Sequence, residues 1–77
     1  MGPSHMVSMG FIETTTYYPA TVSECIREGG RWVLLVRAGK ADYVFNSNEE
    51  WHIGDDAIVA VTMGADGKQT QAIARPV

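Results

Sequence analysis

The residues of this chain that are able to do chemistry are few, and they crowd between positions 49 and 56. Glu49, Glu50, Asp55 and Asp56 place four carboxylates around Trp51, with His52 among them. Acids around an aromatic suit docking on a basic protein surface, such as a nucleic-acid channel, because the carboxylates steer the encounter and the indole anchors it. The position of Trp51 before a Gly54-Asp55 turn favours a structural reading: the indole plugs the open end of a small barrel while the acids cap a turn and face water. The spacing of these acids is not that of a calcium loop. His52 has no accompanying serine or cysteine motif and reads as a surface or turn histidine.

Cys25 is the single cysteine, which leaves no disulfide and no Cys/His spacing of a zinc site, and reads as a small core residue. Gly29-Gly30 has neither the spacing nor the following helix of a phosphate cradle. No catalytic residue, metal or cofactor is therefore assigned, and an enzyme is the class the residues support least. Nucleic-acid binding needs aromatic platforms beside cations. Tyr43 and Phe45, with Arg31, Arg37 and Lys40 near the central hairpins, are the candidates. Against them stand six basic residues to nine acidic ones, a net charge of −3, and an alternation that turns Tyr43 and Phe45 inward.

These residues have to be positioned by strands. Turn signals recur at Glu28-Gly29-Gly30-Arg31, Ala38-Gly39-Lys40, Asn46-Ser47-Asn48, Gly54-Asp55 and Gly64-Ala65-Asp66-Gly67-Lys68. Runs rich in Val, Ile, Thr, Tyr and Trp lie between them, which predicts strands over 18–27, 32–37, 41–45, 57–63 and 69–75. Nothing carries the period of a long helix. Asn48 to Ile53 has room for one helical turn, capped by Asn48 with Glu49 and Glu50 at its positive end. In the first strand Ala20 and Val22 share a face, and a bulge at Ser23-Glu24 returns Cys25 to that face and bends the strand. Two hairpins sharing a strand, a connector and a final hairpin are the plan of a small all-β, five-stranded OB-like barrel, with a Src-homology-3-like barrel as the alternative.

Met1-Gly2-Pro3-Ser4-His5-Met6 reads as a cloning scar, which places the native start near Met6. Residues 7–17 then form an N-terminal extension and residues 18–77 a single β-barrel domain. Val33 and Leu35 back the inward Trp32, Leu34 and Val36, and Ile58 and Ala60 back Ala57, Val59, Val61 and Met63. Apolar residues on both faces require a cover. Either the stretch Phe11 to Tyr18 folds over the second face, or a homo-oligomer forms through Val33, Leu35 and Ile58. No apolar run is long enough to span a bilayer, and no signal segment is evident, so a cytoplasmic protein is expected.

The block Ala20-Thr21-Val22-Ser23-Glu24, the hairpin that follows, Glu50-Trp51-His52-Ile53-Gly54-Asp55 and the late Asp66-Gly67 turn resemble small OB-like proteins of phages and conjugative elements of gut Firmicutes. The resemblance runs from Ala20 to the C-terminus. It implies a fold and a mobile-element setting, with no catalytic residue. That setting implies a non-enzymatic protein-binding module, such as an inhibitor of a host defence nuclease like a CRISPR effector. An OB-fold that binds single-stranded nucleic acid or a nucleotide is the alternative.

Overall fold

The computed structural model describes residues 12–77, so the expected scar at 1–6 and residues 7–11 of the expected extension lie outside the described residues. Five strands follow one another: β1 (Thr14–Glu28), β2 (Arg31–Ala38), β3 (Ala41–Ser47), β4 (Asp56–Met63) and β5 (Gln69–Ala74). Every neighbouring pair is antiparallel. They form one sheet in the order β3-β2-β1-β4-β5, curled into a half-barrel with no helix among the described residues. The fold is thus all-β and OB-like, with β1 at its centre and β3 and β5 as its two edges.

The Gly29-Gly30 turn shows how sequence sets this register. A tight two-residue hairpin of the type I′ form, whose twist matches its strands, needs positive φ at both central positions. Gly29 and Gly30 have φ of 60° and 79°, and Glu28 faces Arg31 across them.

β1 serves both sides of the half-barrel. Its first half pairs with β4, from Thr14 opposite Met63 to Thr21 opposite Asp56. Its second half pairs with β2, from Thr21 opposite Arg37 to Glu28 opposite Arg31. The register shifts between Val22 and Glu24, which makes Ser23 the extra residue of a bulge and bends the strand. The Ser23 hydroxyl donates to the Leu35 carbonyl at 3.0 Å, and Cys25 returns to a position opposite the buried Leu34.

Two expectations are corrected here. β1 begins at Thr14, so Thr14 to Tyr17 of the expected extension are rungs beside β4 and do not fold over the outer face. Three consecutive threonines and two tyrosines favour a pleated strand where a partner is present, and Thr15 Oγ1 lies 2.9 Å from Thr62 Oγ1. The helical turn expected over Asn48 to Ile53 is not formed. The Ser47 hydroxyl, rather than Asn48, accepts the Glu49 amide at 3.0 Å, and the chain runs irregularly so that Trp51 can turn inward.

The concave face holds the core: Ala20, Val22, Leu34, Val36, Phe45, Trp51, Ala57 and Val59 are buried. Cys25, Trp32, Ala38, Tyr43, Val61 and Ile73 pack against them. Period-two alternation delivers these residues to one side of the sheet, with the bulge at Ser23 correcting the phase within β1.

Candidate functional site

The acidic segment is held against β1 by backbone bonds. The Gly54 amide donates to the Val22 carbonyl at 2.8 Å, and the Val22 amide donates to the Asp55 carbonyl at 3.0 Å. Gly54 takes φ of +94°, a region that L side chains rarely adopt. Asp55 Oδ2 accepts the His52 amide at 2.9 Å, and the Asp55 amide donates back to the His52 carbonyl at 3.0 Å.

Trp51 is only 3% exposed. It is a core residue, so of the two readings the plug that the Gly54-Asp55 turn favoured is the one formed, and the accessible anchor is not: the backbone bonds that stitch this turn to the β1 bulge carry the indole into the open end of the half-barrel. Its indole N–H donates to Ser47 Oγ at 3.2 Å, and its carbonyl accepts the Cys25 thiol at 3.0 Å. The indole N–H of the buried ring and the Trp51 backbone carbonyl each thereby have a partner, as burial requires.

Arg75, just past the end of β5, covers this plug. Its guanidinium lies 3.9 Å from the centroid of the Trp51 ring. It also approaches Glu49 Oε1 at 3.5 Å and Asp55 Oδ2 at 3.6 Å and donates to the Glu50 carbonyl. Sequence reasoning treated Arg75 only as the end of a strand. The one signal was an arginine closing a strand that carries no other charge, and it gave no hint of a tryptophan twenty-odd positions earlier.

The four carboxylates accordingly divide. Glu49 and Asp55 are engaged by Arg75. Glu50 Oε2 lies 3.1 Å from His52 Nε2, and Asp56 starts β4 opposite Thr21, exposed. An acidic surface largely answered by its own arginine is a weaker lure for a basic partner than the bare sequence suggests. Among the described residues, no group of three or more His, Cys, Asp or Glu side chains is arranged to hold a metal. Between the ends of β3 and β5 lies an open groove of about 600 Å³ floored by Trp51 and Arg75.

The candidate nucleic-acid residues are not brought together. Tyr43 and Phe45 stack with ring centroids 6.3 Å apart, on the concave face where Phe45 is buried. This is the inward alternation expected of Phe45 and leaves it unfit as a stacking platform, because its position opposite the core residue Leu34 points it inward. Arg31 and Arg37 belong to the opposite, convex face. Arg37 lies 3.9 Å from Asp42 directly across the β2–β3 ladder, and Lys40 sits at the hairpin tip.

The convex face is aliphatic on β1, β2 and β3. Ile26 stands opposite Val33, and Leu35 opposite Val44. Ile26 is 56% and Val44 65% exposed, while Val33 and Leu35 are half-buried. Charged residues rim the group: Glu24 beside Leu35, Glu28 with Arg31, and Arg37 with Asp42. Ile58, the third residue expected to self-associate, is half-buried on β4 opposite Pro19, on the far side of β1. Comparison with family models, with curated proteins and with solved structures finds no match.

Proposed function

We propose that the chain is a non-enzymatic protein-binding module that docks through the convex face of β1, β2 and β3. The observation that carries this reading is the contiguous aliphatic group Ile26, Val33, Leu35 and Val44 with its charged rim. Aliphatic side chains surrounded by charges are the make-up of a protein interface, with a dry centre and a polar border. In OB-type barrels the face of the second and third strands is the usual ligand face, and oligonucleotide binders furnish theirs with aromatics and cations. Here that face is aliphatic, which favours a protein surface over stacked bases. The resemblance to proteins of mobile elements adds a setting, in which the partner is a host protein such as a defence nuclease.

The test compares the wild type with Val44→Glu in two assays. A protein partner retained by the wild type and lost on Val44→Glu, with both chains melting alike, supports the reading. Submicromolar binding of single-stranded nucleic acid that weakens steeply with salt and ignores Val44→Glu overturns it in favour of the nucleic-acid alternative.

A further inference from the structure

Strand β5 forms one edge of the sheet, and the residues that blunt an edge, Lys68, Arg75 and Pro76, stand only at its two ends. Its residues, Gln69-Thr70-Gln71-Ala72-Ile73-Ala74, include no charge and no proline, and its register with β4 runs without a bulge. The other edge, β3, carries Asp42, paired with Arg37. An unguarded edge offers a row of backbone donors and acceptors to another strand.

Which groups are on offer follows from the hairpin. The Gly64 amide donates to the Lys68 carbonyl at 2.8 Å. Antiparallel bonding alternates, so the even-numbered residues of β5 turn their backbone groups toward β4. The odd ones, Gln69, Gln71 and Ile73, turn theirs outward.

We infer that a second copy of this chain pairs antiparallel along β5, about a two-fold axis at Gln71. In that register Gln71 faces the partner's Gln71 and Gln69 faces the partner's Ile73. All three outward-turned residues of each copy are then used, which forms about six inter-strand hydrogen bonds. The two Gln71 side chains lie on the same face and can join amide to amide. Charge permits the arrangement as well. Lys68 falls opposite the partner's Ala74 and Arg75 opposite the partner's Gly67, so no like charges oppose one another despite the net charge of −3. The pairing uses the β5 edge and leaves the convex face of β1, β2 and β3 open, so it goes beyond the docking reading and does not depend on it.

Sedimentation velocity of the full chain, from micromolar to millimolar concentration, tests this. The wild type is expected to pass from a monomer of 8.4 kDa to a dimer. Gln71→Lys and Gln71→Glu, each of which opposes a charge to itself across the axis, should each weaken association by about twofold to fivefold, and an equimolar mixture of the two should restore it. Val44→Glu should leave it unchanged. A wild type that stays monomeric throughout overturns the proposal. So does a dimer broken by Val44→Glu but indifferent to Gln71→Lys, since association then belongs to the convex face. Amide hydrogen exchange of the wild type provides a check free of mutation. Protection of Gln69, Gln71 and Ile73 that rises with concentration supports the pairing, and fast exchange at every concentration contradicts it.

Discussion

The Arg75 guanidinium lies over the Trp51 ring, 3.9 Å from its centroid, and joins the end of the last strand to the plug of the half-barrel. No strand pairing connects β3 to β5. The Arg75–Trp51 contact, with the bonds from Arg75 to Glu49, Glu50 and Asp55, is what bridges that side of the molecule.

Replacing Arg75 with alanine should therefore loosen the plug. The guanidinium side chain is 44% exposed, so solvent screens its ion pairs, and the loss is expected to be about 1 kcal/mol. For a domain of this size that lowers Tm by roughly 4 to 8 °C, and tryptophan emission should shift to the red as water reaches Trp51. Arg75→Lys should restore little, because a compact ammonium neither stacks like a guanidinium nor bonds as a planar fork. A lysine variant with wild-type melting and emission would remove stacking from the account.

Trp51→Ala deletes a large buried side chain and should cost about 3 to 5 kcal/mol. A core this small supplies a comparable margin, so the variant is expected to be largely unfolded at room temperature. Trp51→Phe should keep the fold with a smaller loss. Circular dichroism on both variants checks the order. A folded, stable Trp51→Ala would mean that the indole is not the plug.

Gly54→Ala isolates backbone strain from packing. A β-carbon at this position meets nothing within 4 Å, yet φ is +94°. The expected cost is about 1 to 2 kcal/mol, all of it conformational. Denaturant titration measures it, and an unchanged midpoint would show that the turn tolerates a side chain.

Neighbouring residues 44 and 45 should behave oppositely. Val44 is 65% exposed on the convex face and Phe45 is buried on the concave one. Val44→Glu is expected to change stability by no more than about 0.5 kcal/mol, whereas Phe45→Ala should cost about 3 to 5 kcal/mol. Thermal melts of the two variants make the comparison, and equal losses would indicate that both faces of β3 are covered.

The strands at 31–38, 41–47, 56–63 and 69–74 lie within two residues of their sequence-based limits, and the bulge beside Ser23 falls where the phase of Ala20, Val22 and Cys25 requires it. Alternation, turn residues and glycine φ are local properties, so the chain states them directly. The N-terminal limit of β1 was missed because Thr14 to Tyr17 become strand only through the partner β4 supplies. For Trp51 the sequence left two readings open, anchor or plug, and no local pattern could decide between them. The choice rests on contacts between residues far apart in the chain: Val22 with Gly54 and Asp55, Cys25 and Ser47 with Trp51, and Arg75 over the ring. Sequence alone determined the strands and which side chains share a face. Tertiary structure decided which face is buried at the open end and which charges are already answered, because burial and ion pairing depend on the distances that folding closes.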